Sequence, residues 1–294
     1  RYYRIRKERF MKTAIVTDST AYIPKEILDA NNIYMLPLIV NIDDKSYRED
    51  IDLSATEFYE KLSEMRTFPS SSQPAVGEVY ELFQKLEKEY DAIISIHLSS
   101  GISGSFQTTS TLVDDFPDCK IYPIDSEISC YPQARMVLEA ARLAKLGLDA
   151  EEIVAQVEQL KSRTSAYFMV DDLTNLQKGG RLSSGAALMG SMLKIKPILH
   201  FEDKKITVYE KIRTKKKALQ AILDLLAKEK ETVDYPLVAT VIHASREESA
   251  RELIQQIESR HPDVRCEMSY FGAVIGTHLG EGALGITWTE DTTK

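Results

Sequence analysis

The chain has 294 residues, 43% of them apolar, with 37 Lys and Arg against 45 Asp and Glu for a formal net charge of −8. That length accommodates one large domain or two, burying roughly 75% of the unfolded surface, and 13 Gly with 10 Pro exclude a disordered or fibrous chain. The acidic balance argues against a general nucleic-acid binder, because neutralising phosphates supplies most non-specific affinity.

The charge is unevenly spread. Residues 1–10 hold five basic residues and one acid, leaving 32 basic against 44 acidic residues, net −12, from Met11 onward. No apolar core follows the basic start, so it does not read as a signal peptide. It is expected to be an added or disordered extension, with Met11 the native start. No apolar run approaches the roughly 18 residues a membrane-spanning helix needs. Cys119, Cys130 and Cys266 are odd in number and far apart, with no CxxC and no paired Cys/His spacing. Neither a disulfide framework nor a metal site is expected, and the setting is expected to be cytoplasmic.

In chain order, Lys12–Thr17 reads as a buried strand, followed by a helix opened by Pro24. Tyr34–Val40 is a second strand, and NIDDKSY a turn into a short edge strand. Ser54 and Glu57 have capping-box spacing for a helix over about 55–65. After a loop at 67–73 come a helix over Pro74–Tyr90, the strand Asp91–Leu98, a Gly/Ser turn, a helix over about 103–114 and the strand Ile121–Asp125. A helix over about 131–146 stops at Gly147. Strands separated by helices imply a parallel, doubly wound sheet. From about residue 150 the pattern changes. A helix opens at Asp149 and Glu152, and SAYFMVDD is a strand. Residues 184–193 (SGAALMGSML) read as a helix covered on most faces. KPILHF and KITVYEKI form a hairpin around EDKK. A helix over 214–230, the strand PLVATVIH, a helix over 246–260, the strand VRCEMSYF, a Gly-rich loop over 272–282 and the strand ALGITWTE complete an α+β second domain with a mixed sheet.

Four polar segments fall where strands meet helices: Asp18–Thr20, Ser70–Pro74, Ser99–Gly104 and the Gly272–Gly282 loop. Parallel strands point their carboxyl ends to one side, where ligands gather. The Ser99–Gly104 turn leads into a helix near Ser103, whose free N–H groups suit a small anion; an ordinary Ser-capped helix fits the same residues. The Ser103 region lacks the second glycine of the G-x-S-x-G elbow. His97 reads as packed, while His278 is better placed to meet a ligand, although no acid that would orient its ring is apparent. Lys178-Gly179-Gly180-Arg181 reads either as a phosphate clasp or as a tight turn. Residues 194–217 hold nine cations against three acids. That run suits either docking of an acidic partner or a solvated face.

TDST, SSQP before a helix, LSSGISGSFQ, LQKGGRLS with KPIL, and GAVIGTHLGEGA, in that order over residues 11–290, together resemble the DegV family, which includes the fatty-acid-binding subunits of bacterial fatty acid kinase. The resemblance implies an α/β protein of two domains, a Rossmann-like parallel-sheet domain (11–160) and an α+β domain with a mixed sheet (161–294), with the ligand between them. It implies a non-enzymatic carrier whose ligand is a long-chain fatty acid, with no cofactor or metal. Ser71, Ser103, Gly104 and His278 are expected to hold the carboxylate, with Ser72, Ser100 and Thr277 as neighbours. Arg213, Lys215 and Lys216 are expected to dock the kinase catalytic subunit, with at most transient membrane contact. Ser71 stands where the family usually has threonine and is freer at its first torsion. Glu281 replaces a usual proline, and its side chain is expected to point outward. The residues alone leave two rivals, a Ser/His acyl hydrolase and a phosphometabolite enzyme.

Overall fold

The computed structural model describes residues 11–183 and 195–294. The expected extension over 1–10 and helix over 184–193 lie outside them.

β1 (Thr13–Asp18) is followed by α1 (Lys25–Ala30) and β2 (Ile33–Leu36). The chain then leaves this sheet for β3 (Ile39–Ile42), β4 (Lys45–Arg48), α2 (Ala55–Leu62), β5 (Ser70–Ser72) and α3 (Val76–Glu87). It returns through β6 (Ala92–His97), α4 (Ser105–Thr111) and β7 (Lys120–Asp125) before α5 (Cys130–Lys145) and α6 (Ala150–Ser162). Strands pair in the order β2-β1-β6-β7, all parallel. Both faces are covered, as a parallel sheet requires: Ile15, Ile94 and Ile96 pack with α5 and α6, and Ala14, Val16 and Ile93 with α3.

Three expectations shift here. Tyr34–Val40 is not one strand: β2 joins the parallel sheet and β3 an antiparallel sheet ordered β4-β3-β5. Pro37 stands between them and has no N–H to give a ladder. The loop expected at 67–73 contains β5, whose three serines carry no apolar signal but pair with the edge of β3. The helix expected over 103–114 is the seven-residue α4, with a separate 3-10 turn over Val113–Asp115.

The second half runs through β8 (Ser165–Met169), α7 (Thr174–Lys178), β9 (Ile198–Glu202), β10 (Lys205–Glu210), α8 (Lys215–Thr232), β11 (Leu237–His243), α9 (Glu247–Arg260), β12 (Arg265–Tyr270), α10 (Ala273–Leu279) and β13 (Leu284–Glu290). Its sheet is mixed, ordered β10-β9-β8-β13-β11-β12, with β11 and β12 parallel and the other neighbours antiparallel. The EDKK turn closes the β9–β10 hairpin with Asp203 and Lys204 both at positive φ, the twist-matching geometry of a two-residue connection. This turn reaches the other sheet: Ser99 Oγ donates to the Lys204 carbonyl at 2.6 Å.

Within the Gly-rich stretch at 272–282, Ala273–Leu279 form a fully buried helix, α10, rather than the expected loop. Of the glycines in the stretch, Gly280 and Gly282 have positive φ, and Gly280 caps the end of the helix. Gly272 and Gly276 instead make room, since a Cβ on either would collide with Tyr22 or Tyr59. Between the two large sheets lies a shared apolar cluster that includes Leu38, Leu98, Ile102, Phe168, Leu199 and Ile206.

Candidate functional site

Four segments far apart in sequence converge at the edge of that shared cluster. Ser71 comes from β5, paired with Val40 of β3. Ser103 and Gly104 come from the turn after β6, and Gly104 is the residue that caps α4. His278 lies on α10. Arg181 follows the turn that ends α7. Together with Ser72 and Gln73 they line a chamber of about 160 Å³.

α10 is held at its start by residues that follow β1 and β4. Glu49, fully buried, accepts from the Val274 N–H at 2.6 Å, from Ser19 Oγ at 2.7 Å and from the Tyr22 hydroxyl at 2.9 Å. Burial, and then the neighbouring Asp50 carboxylate, push Glu49 up to about 8. The Tyr22 hydroxyl in turn accepts from the Ile275 N–H at 3.2 Å.

His278 is 8% exposed, and its Nε2 lies 2.7 Å from Ser71 Oγ. Burial first, and then the positive charge of Arg181, hold the imidazole well below its ordinary value, at about 4. The ring is therefore neutral at pH 7 and carries one N–H. Nδ1 is buried without a hydrogen-bond partner, packed against Gly179, where a Cβ would come within 2.5 Å of it. A buried orphan N–H is rarer than an orphan lone pair, which places the proton on Nε2. Nε2–H then donates to Ser71 Oγ, and the Ser71 hydroxyl keeps its own hydrogen for the chamber.

The other donors are prepared in the same way. Ser103 Oγ lies 3.0 Å from Ser105 Oγ and accepts from the Ser105 N–H at 3.3 Å. Gln73 Nε2 donates to Thr108 Oγ1 at 2.8 Å, folding its side chain over Gly104. The Gly104 N–H has no partner among the described residues. Arg181 spends Nε on the Ile102 carbonyl at 2.9 Å and Nη1 on the Gly179 carbonyl at 2.7 Å. Among the described residues it makes no ion pair, so its charge stays available to the chamber. α4 is short, which makes individual N–H and O–H donors matter more than its dipole.

Next to the chamber lies an apolar slot of about 50 Å³, and Ile102, Ile206, Ile275 and Leu279 line both. Beyond them the slot is walled by residues such as Cys130, Phe168, Ile242 and Phe271.

The structure thus brings Ser71, Ser72, Ser103, Gly104 and His278 to one space. It does not bring Ser100, whose N–H donates to Asp125 Oδ1 at 3.1 Å, nor Thr277, whose hydroxyl is spent on the Ala273 carbonyl of its own helix at 2.8 Å. Glu281 is exposed and faces Arg246 at 3.5 Å, away from the chamber. His97 is packed, within bonding distance of Ser95 and Thr109. In the K-G-G-R segment the two cations diverge: Lys178 lies over the Phe68 ring at 4.2 Å, while Arg181 faces the chamber. Arg213 and Lys216 are exposed, and Lys215 pairs with Asp171 at 3.5 Å. Sequence reasoning did not place Arg181, Gln73 or Glu49 at the site. The glycine pair before Arg181 was the available signal for the first, and nothing local marks Glu49.

The model of the family described as "Uncharacterised protein, DegV family" matches residues 12–291. The chain belongs to the DegV family. Protein DegV of Bacillus subtilis (strain 168) is 51% identical over 279 residues, covering 95% of this chain and 99% of that protein. The crystal structure of DegV, a fatty acid binding protein from Bacillus subtilis, matches with a TM-score of 0.90 at 50% identity over 96% of this chain and 100% of that one. A fatty acid binding DegV family protein from Streptococcus agalactiae gives 0.90 at 35% identity with the same coverage, 96% and 100%. The DegV family protein from Thermus thermophilus, solved for its fatty acid binding, gives 0.88 at 27% identity, again covering 96% and 100%. The DegV fold of two α/β units, one with a parallel and one with a mixed sheet, is the fold of this chain.

Proposed function

We propose that this chain binds a long-chain fatty acid, with its carboxylate in the chamber and its tail in the slot, and offers that carboxylate to a separate ATP-dependent kinase subunit that forms the acyl phosphate. One observation carries the binding half: the polar chamber and the apolar slot are adjacent, with Ile102, Ile206, Ile275 and Leu279 lining both. An amphiphile with one ionised end fits such a pair of spaces. A tail of about sixteen carbons gains on the order of 12 kcal/mol gross from burial, of which association and frozen rotors remove a large part. A buried carboxylate without partners would cancel the remainder. The hydroxyls of Ser71 and Ser103, the Gly104 N–H and the Arg181 charge supply what it needs. The slot is narrower than a full acyl chain, so its walls must part to admit one. The fatty acid binding of the relatives from Bacillus subtilis and Streptococcus agalactiae supports the same ligand class.

In this reading the chain makes and breaks no bond itself and needs no cofactor. A hydrolase is disfavoured because Ser103 bonds Ser105, while His278 bonds Ser71 and has no carboxylate on its other nitrogen. The kinase is received by the exposed cations Arg213 and Lys216 at the start of α8, with Lys215 partly spent on Asp171. The domains are 11–160 and 161–294; α6 packs with the parallel sheet and β8 opens the mixed one. The setting is cytoplasmic, with transient membrane contact to exchange lipid.

Organic extraction and mass spectrometry of the purified protein test the binding half. A stoichiometric, exchangeable fatty acid is expected, and its absence would overturn the reading.

A further inference from the structure

The apolar slot has a far end. There its wall is built by Ile128, Ala166, Tyr167 and Phe201, and the same four residues line a separate groove of about 490 Å³. The character of the groove is opposite to that of the slot, for Glu158, Lys161, His200, Asp203 and Lys204 line it. The environment therefore changes from apolar to wet across a single layer of residues, to which Ala166 and Phe201 bring side chains on one face of the sheet and Tyr167 lies on the other. Ile128 belongs to the first domain, Ala166 and Tyr167 to β8, and Phe201 to β9, so the partition is also a junction between the two sheets.

The members of this partition differ in how firmly they are held. Tyr167 is fixed by rings on several sides, with Trp288 at 5.5 Å, Tyr209 at 5.0 Å and His200 at 6.2 Å between centroids. Phe201 is half-buried, with one ring neighbour among the described residues, Phe168, at 6.3 Å. It is the plug most easily removed without disturbing the sheet.

We infer that this partition, with Phe201 and Ala166 as its adjustable parts, sets the length of acyl chain the protein accepts. The inference rests on the fatty-acid reading above. Each methylene that enters the slot raises affinity about fourfold. A methylene driven past Phe201 would emerge beside Lys161 and Glu158, where water remains and little further apolar burial is gained. Affinity should therefore climb with chain length and then stop climbing at the carbon that meets the partition. Selection comes from the change of medium, and needs no contact specific to the methyl end.

The test is a binding series on delipidated protein with saturated acids of about twelve to about twenty carbons. Wild type should gain about fourfold per added carbon up to a break and then level. Phe201→Ala removes the plug and should move the break to longer chains by roughly two carbons, while Ala166→Leu fills the slot's end and should move it to shorter ones by about as much. A break unmoved in both variants overturns the ruler and leaves fatty-acid binding standing. Failure of every protein, wild type included, to bind any acid overturns the binding reading instead. Thermal melts check both variants, and if Phe201→Ala does not fold, Ala166→Leu alone decides.

Discussion

Two buried polar groups stand at the carboxyl ends of the parallel strands, and they are finished in opposite ways. Asp18, at the end of β1, has each oxygen occupied. Oδ1 accepts from the Thr20 N–H at 2.9 Å, the Thr20 hydroxyl at 2.6 Å and Gln133 Nε2 at 3.2 Å, and Oδ2 from the Leu98 N–H at 2.8 Å. The chamber around His278 leaves capacity over: among the described residues the Gly104 N–H has no partner, and the guanidinium of Arg181 bonds carbonyls and no carboxylate. A completed network fixes the fold, because every removal orphans a buried partner. An unfinished one costs stability until a guest completes it. TDST and GTH both look like site motifs in the sequence, yet Asp18 of the first is bonded within the fold on both oxygens, and His278 of the second lines the chamber.

Substitutions can break this contrast, beginning where the effect is largest. Asp18→Ala orphans the Leu98 and Thr20 amides and Gln133, and should cost about 3–4 kcal/mol of unfolding free energy. Denaturant titration measures it. A loss below about 1 kcal/mol would mean that Asp18 is not the keystone of the strand ends. Arg181→Gln should show the reverse profile. Fatty-acid affinity should fall about tenfold to a hundredfold, the worth of a charge-assisted hydrogen bond, while the melting temperature moves little. A variant that melts early yet binds normally would reassign Arg181 to the scaffold.

The third prediction uses pH. His278 is held at about 4 in the folded chain, below its unfolded value near 6.5. The unfolded state therefore takes up its proton first, and stability tied to this ring is lost as pH falls from about 6.5 towards 4. By pH 5 the loss should be about 2 kcal/mol. The difference in pH slope between wild type and His278→Asn isolates it from the carboxylates that titrate in the same window. Equal slopes would show that the ring is not held neutral.

Much of the architecture was legible from residues. The capping boxes at Ser54 and Asp149 form as their spacing requires. Gly147 ends α5 at positive φ, and EDKK turns the hairpin. These signals act between residues a few positions apart, so they survive being read one window at a time. Where distant partners compete, windows mislead. Ser70–Ser72 is a strand because β3 offers an edge, and GAVIGTHL is a helix whose glycines leave the space that Tyr22 and Tyr59 occupy. The family resemblance puts Ser71 and His278 at one carboxylate although they lie 207 residues apart, but no local signal in either segment encodes the 2.7 Å contact between them.

By itself the sequence determined the alternation of strands and helices, the change of architecture near residue 150 and the set of motifs that marks the family. Only the tertiary structure decided that Arg181 faces the chamber, that Thr277 and Ser100 do not, and that a polar groove lies behind Phe201 at the slot's wall. The reason is geometric. A cap or a turn is the work of neighbouring residues, whereas a cavity is what remains between surfaces supplied by segments far apart in the chain, and no single stretch encodes it.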